Sequence, residues 1–249
     1  MDVLIRKKTV EGIPLLELID ATGERRPLVI LYHGYLNRKD FMLNQAYFLA
    51  SQGFAVIAPD AWGHGERSAG GYPDFFSSVL NTADEIDALI GHYRDDPLAD
   101  AARAGLTGYS MGGCIAYEYC AREGRQIKAA VPFIATPDWA ALMSSPGTAE
   151  LFMNSGLVGS PEGMAPLVAL AERVQPLNRP ENFTDLPLLI LNGAEDPLMP
   201  IVSVERFYER MRKLYKNEDD LQLVISPGTG HSDTVDMNLR MAMWFVKYL

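Results

Sequence analysis

Apolar positions along the chain switch between a strand-like and a helix-like period, and the alternation outlines an α/β fold. Residues 3–10 and 13–20 read as two β-like runs with Glu11-Gly12 between them, the pattern of a hairpin at a sheet edge. Leu28–Tyr32 is a continuous apolar run, as expected of a strand buried on both faces, and His33-Gly34-Tyr35 ends it. Phe41–Ser51 takes up helical spacing, with Phe41, Gln45, Phe48 and Leu49 in successive turns and Gly53 as a stop. Phe54–Pro59 is a second buried-strand run. Trp62–Pro73 is rich in glycine and serine and reads as a loop. Ser78–Arg94 predicts a helix with Val79, Ala83, Ile86, Leu89 and Ile90 on one face. A short apolar run ending at Gly108, a helix after Ser110 and a strand over Lys128–Ile134 follow.

After Thr136 the regular alternation stops. Short helical patches at Trp139–Met143, Thr148–Ser155 and Pro161–Val174 are separated by prolines and glycines, and residues 136–183 read as a small helical cap inserted into the main unit. Regularity returns with a strand at Leu186–Leu191, an amphipathic helix at Ile201–Tyr215, a strand at Leu221–Ile225 and a helix at Thr234–Leu249. The expectation is a single α/β domain over residues 1–249, its sheet mostly parallel with helices on both faces. In such sheets the working residues lie just past the carboxyl ends of the strands.

Composition narrows the class. The chain has 249 residues, a formal net charge of −10 at pH 7 and a pI near 4.9. This acidity argues against nucleic acid or an anionic membrane as partner and leaves a small molecule. No apolar run is long enough for a transmembrane helix, and the start Met-Asp-Val-Leu-Ile-Arg-Lys-Lys lacks the order of a signal peptide, so a cytoplasmic setting is expected. Cys114 and Cys120, the two cysteines, fall on one predicted helix and read as buried core residues. No Cys/His cluster has zinc-site spacing, so no zinc site is expected.

The candidate chemistry centres on Gly108-Tyr-Ser110-Met-Gly112-Gly113, a Gly-x-Ser-x-Gly between a strand and a helix. A sharp turn there would hold the serine in a strained backbone and require small residues two positions away. A serine hydroxyl needs an adjacent base. Of the four histidines, only His231 follows Ser110, in a glycine-rich turn after the last strand. His92 falls in a helix; His33 and His64 sit beside glycines in loops. The orienting acid is expected at Asp196, just past the strand at Leu186–Leu191, with Glu195 the rival by adjacency. Asp219 and Asp220 precede a strand, and Asp233 sits where the last helix would be capped. The oxyanion donors are expected to be the N–H groups of Met111 and Tyr35.

With these residues in place the chain resembles the α/β-hydrolase superfamily from about residue 28 onward. The likeness rests on His33-Gly34, Asp60-Ala-Trp-Gly-His-Gly-Glu-Arg67, Gly108–Gly113, Gly193-Ala-Glu-Asp196 and Gly230-His231. It is most similar to small bacterial carboxylesterases related to the dienelactone-hydrolase and prolyl-oligopeptidase-like groups. Dienelactone hydrolases proper use a cysteine where this chain has Ser110. The resemblance implies a structural role for His64 and a cofactor-free acyl-enzyme mechanism: His231 deprotonates Ser110, which attacks an ester carbonyl, and water later releases the acyl group. Tyr35, Trp139, Phe152 and Met153 are the expected substrate-binding residues. A peptidase or amidase, with Arg67 or Arg38 as anchor for a chain terminus, is one alternative on the same triad. A thioesterase or lactonase is another, and a non-catalytic binding protein is a third.

Overall fold

The computed structural model describes residues 2–70 and 74–249; the end of the loop expected over Trp62–Pro73 lies outside the described residues. Eight strands form one sheet in the order β1-β2-β4-β3-β5-β6-β7-β8. They are β1 (Val3–Val10), β2 (Ile13–Asp20), β3 (Arg26–Tyr32), β4 (Ala55–Pro59), β5 (Ala99–Tyr109), β6 (Ala129–Phe133), β7 (Leu188–Gly193) and β8 (Leu221–Ser226). The hairpin β1–β2 is antiparallel and also joins β4 antiparallel. Every other pairing is parallel. This is the α/β-hydrolase fold.

Strands β4 and β6, which are apolar throughout, and β7, in which Asn192 is the one polar side chain, are buried along their whole length, as a sheet covered on both faces demands. Two apolar clusters flank the sheet. On one side pack α2 (Phe75–His92), α3 (Met111–Cys120) and α7 (Ile201–Arg212). On the other lie α1 (Leu43–Ser51) and α8 (Val235–Tyr248). Between β6 and β7 run α4 (Trp139–Met143), α5 (Pro146–Asn154) and α6 (Met164–Val174), the segment read from sequence as a cap. They pack on the same side as α2 and α3.

The differences from expectation have local causes. Strand β5 begins at Ala99, well before its apolar run, because Ala99 and Asp100 pair with Arg26 and Pro27 across a register shift. Helix α2 begins at Phe75 because Asp74 caps it, accepting a hydrogen bond from Ser77 N–H at 2.6 Å. Helix α8 is capped by Thr234 rather than Asp233, through Met237 N–H at 3.2 Å. Cys114 and Cys120 are both buried and unpaired.

Past the end of β4 a buried ion pair fixes the loop that carries the Gly-His-Gly run. The Asp60 carboxylate accepts from Lys39 N–H at 2.8 Å, Lys39 Nζ at 2.7 Å and Glu66 N–H at 3.0 Å. Gly65 lies so close that a Cβ there would stand 2.2 Å from Asp60 Oδ1. Burial works against the Asp60 charge, but the Lys39 ammonium and the two N–H donors outweigh it and hold its pKa below the ordinary 3.8. A depressed carboxylate contributes stability above its unfolded value and loses it as pH falls through the folded value. Removing one member of a buried pair costs about 3–5 kcal/mol. Asp60→Asn should therefore destabilise the protein by about 3 kcal/mol at neutral pH. The deficit should shrink below about pH 4 as the wild-type carboxyl protonates. Urea unfolding of both proteins at several pH values checks both statements.

Candidate active site

Strands β3 and β5 are neighbours, with Tyr32 opposite Gly108, so the segments leaving their carboxyl ends meet. Ser110 is the first residue after β5 and the residue before α3. Its backbone has φ 57° and ψ −114°, a region that costs a non-glycine residue about 1–3 kcal/mol. The turn is pinned by Ser110 N–H donating to Phe133 O at 3.0 Å and by Cys114 N–H donating to Ser110 O at 3.0 Å. The glycines follow from contact. A Cβ on Gly108 would stand 2.5 Å from the Gly112 carbonyl, and one on Gly112 would stand 2.4 Å from Tyr32 O. A Cβ on Gly113 would meet Ala135 Cβ at 2.5 Å.

The loops after β7 and β8 bring the other two predicted residues to this turn. His231 Nε2 lies 2.9 Å from Ser110 Oγ, and His231 Nδ1 lies 2.8 Å from Asp196 Oδ2. The Asp196 carboxylate is fully buried, and its other oxygen accepts from Leu198 N–H at 2.9 Å and Met199 N–H at 3.0 Å. Those donors orient Asp196 so that Oδ2 faces the imidazole. Glu195 N–H donates to Thr229 O at 2.9 Å, tying the acid loop to the histidine loop. Gly193 permits that approach, since a Cβ there would stand 2.3 Å from Thr229 O. The Glu195 side chain is exposed. Asp233 accepts from Asn238 Nδ2 at 2.6 Å and is engaged on α8. His92 is exposed, 3.8 Å from Glu11.

On the opposite side of Ser110 lies the His33-Gly34-Tyr35 segment. A Cβ on Gly34 would sit 3.5 Å from Ser110 Cβ, so this backbone rests directly on the turn. His33 is buried, and Ala61 N–H donates to its Nε2 at 3.0 Å. The proton is therefore on Nδ1, which donates to Gly34 O at 2.8 Å. Burial pulls the His33 imidazole down to about 4, keeping it neutral as a strut between two loops. His64 is likewise buried, with its ring edge-on to Tyr35 at 5.5 Å. Met111 N–H belongs to the first turn of α3, whose donors have no intrahelical acceptor and whose dipole favours negative charge at Ser110.

A narrow cavity of about 20 Å³ opens onto Ser110. Tyr35, Phe75 and Phe152 line it together with Leu142, Met143, Thr148 and Leu151 of α4 and α5 and Leu198 and Met199 of the acid loop. None of these side chains is charged. Two expected pocket residues are absent from this lining. Trp139 is fully buried, its ring 5.9 Å from that of Phe76. Met153 follows Phe152 on α5 and is turned away by the helical rotation of one residue. Phe75, Met143, Thr148, Leu151, Leu198 and Met199 were not singled out from sequence. The signal was clearest for Leu198 and Met199, two and three residues after Asp196. Among the described residues no three His, Cys, Asp or Glu side chains converge as a metal site would need.

The serine aminopeptidase (S33) family model matches residues 23–154, more than half of the chain. This chain belongs to that family of α/β hydrolases. As a member of this family it is a serine hydrolase. It is 30% identical to "Putative esterase YitV" of Bacillus subtilis, over 99% of this chain and 100% of that protein. Among solved structures it superposes on TT1662 of Thermus thermophilus with a TM-score of 0.79 at 24% identity, covering 99% of this chain and 98% of that one. The Pyrococcus furiosus esterase Pf2001 superposes with a TM-score of 0.70 at 19% identity, over 99% and 93% of the two chains.

The glycine contacts give a direct check on the turn. Gly112→Ala should destabilise the fold by about 3 kcal/mol and cut hydrolase activity more than about tenfold, because its Cβ would press on the fixed Tyr32 carbonyl. Gly91→Ala, on α2 with open space around it, should instead leave stability unchanged or raise it by up to about 1 kcal/mol. Thermal unfolding of the two variants distinguishes them.

Proposed function

We propose that the chain is a serine carboxylesterase that cleaves small carboxylic esters through an acyl-enzyme on Ser110. The observation that carries this reading is the continuous Ser110–His231–Asp196 hydrogen-bond relay at the floor of an uncharged, apolar cavity. In the proposed reaction His231 Nε2 takes the Ser110 proton as Oγ attacks the ester carbonyl, and Asp196 stabilises the imidazolium. The Tyr35 and Met111 N–H groups receive the oxyanion. His231 then protonates the leaving alcohol. Water, deprotonated by His231, attacks the acyl-enzyme and releases the acid.

The cavity favours esters over peptides. A terminus of a peptide needs a charged partner, and both arginines considered for that role are occupied away from Ser110. Arg67 pairs with both Glu85 oxygens and donates to Asp60 O. Arg38 is exposed beside Asp40 and Phe41. The α4–α6 segment acts in this proposal as a cap whose α4 and α5 shape the acyl pocket. A volume of about 20 Å³ holds a single water, so a short acyl group enters only as cap side chains give way. Phe152 is the largest obstacle, packed 5.9 Å from Tyr35 and 6.3 Å from Phe75. Two buried free cysteines suit a reducing, cytoplasmic setting.

A series of p-nitrophenyl esters of rising acyl length tests the reading. Ser110→Ala should lower kcat/KM by about 10³-fold or more for every ester, and undiminished hydrolysis would refute it. Phe152→Ala should shift preference toward longer acyl chains by about tenfold relative to acetate, while an unchanged profile would remove Phe152 from the pocket. Thioesters and lactones of matched acyl size, run alongside, rank those leaving groups against the esters.

A further inference from the structure

We propose, on the reading of Ser110, His231 and Asp196 as the working triad, that Ser145 at the start of α5 is a positioning residue that ties the seat of the cap to the orientation of Asp196. Asp196 Oδ1 accepts from Met199 N–H at 3.0 Å. That N–H belongs to the Leu198–Met199 peptide group, and the carbonyl of the same rigid plane points to the opposite side. There Ser145 Oγ donates to Leu198 O at 3.1 Å, and Thr148 Oγ1 stands 3.5 Å from the same oxygen. One planar unit is therefore held by Asp196 at its N–H and by the cap at its carbonyl. Rotating it breaks both contacts. Donation to the carbonyl also polarises the peptide and strengthens the bond from its N–H to the carboxylate.

The segment around this peptide is stiff. Pro197 and Pro200 fix φ on either side of it. Helix α5 rests on its backbone, since a Cβ on Gly147 would stand 2.3 Å from Pro197 O. Ser145 itself is buried, and its Oγ also caps α5 by accepting from Thr148 N–H at 3.2 Å. The other end of α5 is built differently. Phe152, the side chain that must yield to an acyl group, lies seven residues beyond Ser145, roughly 10 Å along the helix. The chain then continues through Gly156 and Gly159, each with open space around it. Helix α5 is thus anchored on the acid loop at one end and leads into an open loop at the other. An acyl group displaces Phe152 while the Ser145 end stays on Leu198 O, so the pocket opens without releasing Asp196.

Two measurements test this together: steady-state hydrolysis of p-nitrophenyl esters, and the far-downfield proton resonance of the His231 Nδ1–H bonded to Asp196. Ser145→Ala combined with Thr148→Val removes both hydroxyls near the Leu198 carbonyl. It should lower kcat by about tenfold, leave KM within about twofold of wild type, and shift or broaden the His231 resonance. Ser145→Asp combined with Thr148→Val keeps an acceptor for the start of α5 but supplies no donor, and should lose kcat to the same extent. Ser145→Thr keeps both functions and should retain kcat to within about twofold. An unchanged kcat and resonance in the first variant overturns the proposal, as does full kcat in the second, which would reduce Ser145 to a helix cap. A raised KM with kcat and the resonance intact assigns Ser145 to the pocket and overturns it too. The resonance is read without substrate, so it tests Ser145 even in a chain that cleaves no ester. Absence of ester hydrolysis by the wild type counts against the esterase reading alone.

Discussion

The structure depends most on the forced close approach at Ser110. Its backbone stands at φ 57° and ψ −114°, a conformation that the bare backbone disfavours. It persists because β3, β5, β6 and α3 all converge there. Ser110 N–H is held by the end of β6, the start of α3 is held by Ser110 O, and Gly112 lies against the carbonyl of Tyr32 at the end of β3. The strain lifts Oγ out of the sheet edge toward the loops that follow β7 and β8. A relaxed turn would leave His231 without a hydroxyl to meet.

The surrounding loops are then positioned by buried polar contacts rather than by apolar packing. His33 bridges Gly34 and Ala61, Asp60 binds Lys39 and the Glu66 N–H, and Asp196 takes two N–H donors from its own loop. Each is a fully or nearly fully buried group with several partners, so each gives its loop a single arrangement. The apolar side chains are left to form the cavity. The neutral His33 and the buried Asp60 explain why the His33-Gly34 and Gly63-His64-Gly65 runs accompany the serine turn although neither histidine touches Ser110.

Much of this was legible in the sequence because the sheet is buried on both faces. Continuous apolar runs bounded by turn residues, such as Leu28–Tyr32 and Leu186–Leu191, read as interior strands, and the residues just past them are few. That logic led to Ser110, Asp196 and His231, which the fold brings within hydrogen-bond reach of one another. Strand order and the long start of β5 were not legible, because Ala99–Arg103 carries no apolar period and owes its conformation to pairing with β3. Pocket residues were the least legible. Trp139 and Phe152 are both large aromatics in helical patches, yet one packs on Phe76 and the other lines the cavity. That division is set by how α4 and α5 dock on the sheet, a long-range matter that local spacing does not encode.

The central claim is that Ser110 is a nucleophile activated by His231. Covalent labelling with a fluorophosphonate, followed by mass mapping of the modified peptide, tests it most directly. The account predicts one adduct per chain, on Ser110, formed rapidly in the wild type and at least about 10³-fold more slowly in His231→Ala. An unlabelled protein, an adduct on another residue, or labelling indifferent to His231 would contradict it.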